Sequence, residues 1–221
     1  RRAVQIALTP PTGPVFLAVP VDLQRQPLTD PDLAPPALPM RGTRPPAAAV
    51  EVAVQVLLTA QDPAIVAGSR VTEAGAGGQL ARLAELLGAP VLTESTASQG
   101  RRPLPADHPL FQGPVSMWAP EISRRLGRHD VILAVGAGLF KLYIHRGPVG
   151  PVPPGVRWLR LDADAAAIGR NFPVDLGLVG DLDAGLGALA DTLEPRLSAS
   201  HRQRAVDRPA RVPGLMRSHR H

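Results

Sequence analysis

Two glycine clusters, a few acids at the ends of apolar runs and six histidines are the residues of this 221-residue sequence with chemistry to offer. Gly136-Ala137-Gly138 directly follows the apolar run Val131–Val135, and Asp162 stands 24 positions beyond Gly138, at the end of the next strong run. A tight glycine turn lets a phosphate approach backbone amides, and an acid closing the next strand can hold a ribose hydroxyl. Gly136, Gly138 and Asp162 are therefore the cofactor-binding candidates if a nucleotide binds. The third glycine of the full fingerprint is absent, and a tight turn with an Asp capping the following segment accounts for the same residues. Both readings stand at this point. Gly75-Ala76-Gly77-Gly78 is placed differently, because the strand before it ends near Gly68 and its third position is Leu80. It is expected to pack the start of a helix.

The remaining residue types mostly exclude. With no Cys, a disulfide scaffold, a thiolate nucleophile and Cys-ligated zinc or iron–sulfur sites are ruled out. His108, His129 and His145 are isolated, and His201, His219 and His221 sit near the end of the chain, so no metal site is expected. His129, just before a strand, reads as a surface residue. No Gly-x-Ser-x-Gly elbow, His-Glu-x-x-His pair or Walker loop occurs. The residues alone predict a nucleotide-sized groove without a visible catalytic constellation.

The elements that must position these residues alternate regularly. Val50, Val54, Leu57 and Leu58 form a helical stripe, followed by the strand Ala64–Ala67; Leu80, Leu83 and Leu87 form another, followed by Val91–Thr93. A helix over Trp118–Leu126 leads to the strand Val131–Val135, then come the strands Trp158–Leu161 and Leu176–Val179 and a helix through Leu182, Leu186, Leu189 and Leu193. Continuous apolar strands between amphipathic helices predict an α/β fold, its sheet largely parallel and covered on both faces. Gly68, Gly136, Asp162 and Asp181 then fall at the carboxyl edge, where such sheets bind ligands. Ahead of this block, residues 1–24 read as helix, turn and a buried strand Val15–Val19. Residues 25–46 hold seven prolines and read as a linker.

Charge argues against nucleic acid as a partner. The formal net charge is +5, yet residues 196–221 hold seven of the 24 basic and one of the 19 acidic residues, leaving 17 and 18 for the rest. A nucleic-acid binder carries its basic stripe on the folded part. Lys141 is the only lysine, a bias that looks like codon composition. Residues 196–221 are expected to be disordered and dispensable. No apolar run approaches the roughly 18 residues of a membrane span, so no membrane partner is expected, and the location is expected to be cytoplasmic. The opening Arg1-Arg2, without an initiating Met, leads to the expectation of a piece of a longer polypeptide.

Six segments in order resemble the thiamine diphosphate-dependent decarboxylase and carboligase superfamily. Pro11 to Asp22 resembles the end of its pyrimidine-binding domain. Asp62-Pro63-Ala64-Ile65-Val66-Ala67-Gly68, Leu87-Gly88-Ala89-Pro90-Val91, His129 to Ala137, Leu161-Asp162-Ala163-Asp164 and Val179-Gly180-Asp181 resemble successive units of the Rossmann-like central domain. His108-Pro109-Leu110-Phe111-Gln112-Gly113 is similar to the His-Pro-x-Phe-x-Gly stretch of the benzoylformate decarboxylase-like branch. The related acetolactate synthases follow the same strand with an Arg-Phe pair used for flavin, where this chain has Gly138-Leu139-Phe140-Lys141.

The resemblance covers about residues 1–195 and implies 1–24 as the end of a pyrimidine-binding domain, 25–46 as linker and 47–195 as central domain, leaving 196–221 as the disordered basic tail. It implies thiamine diphosphate and magnesium in the full-length enzyme, FAD as unlikely, and no cofactor for this chain alone. The family's Glu on the cofactor's pyrimidine ring and its Gly-Asp-Gly…Asn-Asn segment belong to other domains; Gly180-Asp181 is followed by Leu182 and does not match. The expected partners are those N- and C-terminal domains, within a homo-oligomer of two or four chains. In that branch a His shortly after the Val-Gly-Ala strand transfers protons; ungapped, Tyr143 takes its place and His145 lies two positions on, and both also read as ordinary loop residues. Two other functions stay open: a flavin- or nucleotide-binding module of the acetolactate synthase kind, and a ligand-free assembly domain.

Overall fold

The computed structural model describes residues 1–10, 12–27, 42–94, 101–140 and 150–211, with the side chains of 209–211 left aside. It separates into two compact units, Arg1–Arg41 and Gly42–His221.

The first unit holds two short helices, α1 (Arg2–Leu8) and α2 (Val21–Gln24), neither with a buried residue. The buried strand expected at Val15–Val19 does not form. These residues belong to no strand and have no ladder partner, and Phe16 is 92% and Leu17 68% exposed. An apolar extended segment becomes a strand only where another strand satisfies its amides, and no described residue does so.

The second unit is a six-stranded parallel sheet in the order β3-β2-β1-β4-β5-β6. Its strands are β1 (Pro63–Ala67), β2 (Val91–Thr93), β3 (Phe111–Pro114), β4 (Val131–Val135), β5 (Arg157–Asp162) and β6 (Leu176–Val179). The strand-to-strand connections carry α4 (Ser69–Glu73), α5 (Gly77–Leu87) and α6 (Ala119–Leu126); α3 (Ala47–Thr59) precedes the sheet, and α7 (Leu182–Leu193) and α8 (Ala199–Arg211) follow it. All five residues of β4 are buried, because successive side chains point to opposite faces and both faces are covered. Val131, Leu133 and Val135 join Val54, Leu80, Leu83, Leu186 and Leu189 under α3, α5 and α7. Ile132 and Ala134 join Leu92, Ile122, Leu126 and Trp158 on the other face, with α6. Gly88 ends α5 at φ +59°, and the amide of Ala89 returns to the carbonyl of Ala84 at 2.9 Å, a six-to-one closure open to a residue that tolerates left-handed backbone. Asp181 starts α7 by accepting the Ala184 amide at 2.9 Å.

The expected disordered tail is corrected as far as Arg211. Ser198 caps α8 through the amide of His201 (3.3 Å), and the helix docks by polar anchors in place of an apolar stripe. The Nε2 of His201 meets the carbonyl of Leu58 at 3.0 Å. The guanidinium of Arg208 donates to the carbonyls of Leu87, Gln61 and Ala60. These carbonyls lie at the ends of α3 and α5, where helix dipoles favour cations. Residues 212–221 lie outside the described residues. Among the described residues no helix is long and apolar enough to cross a membrane.

Candidate functional site

The carboxyl edge of the sheet brings the expected residues together and supplies three others. Gly136 follows β4 at φ +53°; a Cβ there would lie 2.6 Å from Leu182 Cδ1 and 3.0 Å from Arg70 Cβ, so both backbone and space require glycine. Gly68, after β1, is constrained by space alone, since a Cβ would fall 2.2 Å from the Gly136 carbonyl oxygen. The two turns touch. Their amides extend the ladder one residue past the strands, Gly68 to Val135 O and Gly136 to Leu161 O, each at 2.9 Å.

Asp162 ends β5 fully buried, with both carboxylate oxygens engaged. Oδ1 accepts from Arg70 Nη1 at 2.5 Å and from the Asp164 amide at 3.1 Å, while Oδ2 accepts from Arg160 Nη2 at 3.0 Å. The same Arg160 nitrogen donates to the Ala137 carbonyl at 2.8 Å. Glu94, one residue past β2, accepts the Ser69 amide on Oε1 at 3.2 Å and the Gly138 amide on Oε2 at 2.5 Å. Two carboxylates and two guanidiniums thus tie the turns after β1 and β4 to the ends of β2 and β5. Buried charges persist when paired and hydrogen-bonded in this way.

Gly136, Gly138 and Asp162 are therefore neighbours, as the spacing suggested, but the Asp162 carboxylate faces two arginines and a backbone amide. A ribose would have to displace one of them. Glu94, Arg70 and Arg160 were missed by sequence reasoning. Arg160 had a readable signal: it lies two residues before Asp162, on the same face of the strand and between the buried Leu159 and Leu161. Tyr143 and His145 lie outside the described residues. Gly77 and Gly78 begin α5 as expected, and a Cβ on Gly77 would meet the Pro103 carbonyl at 3.1 Å. Next to Gly77 and Gly78, an open cleft of about 820 Å³ is bounded by α5 and the segment from Arg102 to His108. His129 is half-buried, contrary to the surface reading; burial pushes its pKa below the ordinary imidazole range, opposed by the Asp62 carbonyl 3.2 Å from Nδ1.

The described residues do not fit a magnesium diphosphate. No group of three or more His, Cys, Asp or Glu among them is placed to hold a metal ion, and the carboxylate of Asp181 is used as the cap of α7.

A parallel sheet wound in both directions from β1, with glycine turns and an acid at its carboxyl edge, defines a Rossmann-like, doubly wound α/β domain. Residues 50–189 match the model for the thiamine pyrophosphate enzyme central domain, and the chain belongs to that family. It is 34% identical over 209 residues to a benzoylformate decarboxylase of Pseudomonas aeruginosa, covering 94% of this chain and 38% of that protein. It is 31% identical over 186 residues to a glyoxylate carboligase of Escherichia coli O157:H7, covering 82% of this chain and 30% of that protein. The crystal structure of benzoylformate decarboxylase from Polynucleobacter necessarius superposes with a TM-score of 0.76 at 28% identity, over 86% of this chain and 35% of that one. The chain thus spans about a third of the length of these relatives.

Proposed function

We propose that this chain is the central domain of a thiamine diphosphate-dependent 2-keto acid decarboxylase or carboligase of the benzoylformate decarboxylase type. In this reading it works with a pyrimidine-binding domain and a domain that holds magnesium diphosphate, in a cytoplasmic homo-oligomer. The observation that carries it is the match to a benzoylformate decarboxylase across 94% of the chain, beyond the 50–189 segment common to the whole family. The domain's own contribution is architectural: a rigid sheet that holds its neighbours in place. Flavin has no part in this reading, because the donors at the carboxyl edge already serve Glu94 and Asp162. Tyr143 and His145 are the positions at which a proton-transferring side chain would enter from this domain.

The test is carbon dioxide release from aryl and alkyl 2-keto acids with thiamine diphosphate and magnesium in excess. The chain alone should release none, whereas the chain joined to the two flanking domains of a benzoylformate decarboxylase should. Release by the 221-residue chain alone, abolished by EDTA, would refute the assignment.

A further inference from the structure

From β1 the chain runs through β2 to β3 at one edge of the sheet, then returns past β1 and builds β4, β5 and β6 in the other direction. The strand order reverses between β1 and β4. In open α/β sheets this reversal opens a crevice outside the carboxyl ends of the two strands, and ligands bind there. Here the lips of the crevice are the turn at Gly68-Ser69, after β1, and the turn at Gly136–Gly138, after β4. A single carboxylate bridges them: Glu94 takes the Ser69 amide with one oxygen and the Gly138 amide with the other. Glu94 is only 8% exposed, although it lies beyond the end of its strand. Beside it, Asp162 uses both of its oxygens on Arg70, Arg160 and the Asp164 amide.

We propose that Glu94 is an internal anion ligand. Its carboxylate stands at the switch point of the sheet, satisfies the amides that a nucleotide phosphate would use there, and so keeps the crevice closed to flavin and other nucleotides. The inference rests on the reading of this chain as a flavin-free central domain and names the residue responsible. Two effects act in the same direction. The amide donors are already hydrogen-bonded, so a phosphate gains no new bond without expelling Glu94. The two guanidiniums beside Asp162 are likewise engaged, Arg70 and Arg160 on its carboxylate and Arg160 also on the Ala137 carbonyl, so they offer an incoming phosphate no free charge without breaking that pairing.

The experiment uses the 221-residue chain, with thermal unfolding and amide hydrogen exchange as readouts. ADP, FAD or inorganic pyrophosphate at millimolar concentration should leave the wild-type melting temperature unchanged. In Glu94→Ala the amides of Ser69 and Gly138 should exchange at least tenfold faster, and formate or acetate should restore the melting temperature where chloride at equal ionic strength does not. Glu94→Gln keeps the size and one oxygen; it should release one of the two amides and show no rescue by formate, and it carries the test if the alanine variant does not fold. Saturable stabilisation of the wild type by ADP or FAD would overturn the proposal. So would wild-type exchange at both amides in the alanine variant, or rescue by chloride as complete as by formate. A failure of the domain-joining assay for decarboxylation would leave these outcomes unchanged, so the two readings fail separately.

Discussion

Helix α8 makes a measurable demand on Gly88. At φ +59° a non-glycine residue costs about 1–2 kcal/mol by backbone sterics alone. A Cβ at this position would also lie 2.4 Å from the Cα and from the carbonyl oxygen of Ala205 in α8, so the helix would have to move. The two contributions separate in a double-mutant cycle between Gly88→Ala and truncation after Leu197. In the truncated chain only the backbone cost of Gly88→Ala should remain. In the full chain an additional coupling on the order of 1 kcal/mol is expected, since the residues are in direct contact.

Truncation itself removes the three carbonyl bonds from Arg208 and the one from His201. A charge-assisted hydrogen bond contributes about 1.5–3 kcal/mol when well buried. Arg208 is half-buried, so the loss for the whole helix should be about 2 kcal/mol after solvent screening. For a chain of this size that lowers the melting temperature by about 4–8 °C. The assay is thermal and urea unfolding of the four proteins under identical buffer. Zero coupling together with an unchanged melting temperature on truncation would show that α8 does not dock in solution, and would return the tail to the disordered reading.

Further outcomes follow from the buried groups. Asp162→Ala leaves Arg160 without its carboxylate in a buried setting and should cost about 3–5 kcal/mol, read by urea unfolding; a loss under 1 kcal/mol would mean that water replaces the carboxylate. Leu133→Ala should cost about 2–5 kcal/mol by cavity formation, while Phe16→Ala should change stability by less than about 0.5 kcal/mol. His129 has a pKa lowered by burial, so the unfolded chain binds its proton first. Stability at this site is full above the ordinary imidazole pKa of about 6.5 and is lost as pH falls below it. The melting temperature of the wild type should therefore fall more steeply between pH 7.5 and pH 5.5 than that of His129→Asn, and parallel curves would contradict the assignment.

The sheet was legible because its strands are apolar on both faces: Val131–Val135 can only be a central strand, and the helical stripes on either side leave it nowhere else to go. The edge strand Phe111–Pro114 escaped because only Gly113 of its four residues is buried, and a Gly-Pro pair reads as a turn. Five-residue α4 is too short to show a period. The tail escaped for a different reason. Its anchors are Arg208 and His201 on carbonyls about 120 to 150 positions earlier in the chain, and no local pattern encodes a partner that distant.

The same limit applied to the site, with one informative exception. Glycines announce themselves by the turn they make possible, so Gly136 and Gly138 could be found from spacing alone. Charged residues announce nothing until their partners are known, and Glu94 draws its partners from the ends of two other strands. Asp162 was legible as an acid at a strand end, but its role depends on what fills its lone pairs. A free carboxylate there would be available to a ribose. Held by two guanidiniums and an amide, it instead fixes Arg160 against the Ala137 carbonyl and so sets the turn after β4. A glycine turn and a strand-end acid therefore describe two opposite machines, an open cradle and a closed joint. The residue proposed to decide between them is Glu94, one residue past β2 and two strands away from β4, which the fingerprint does not include.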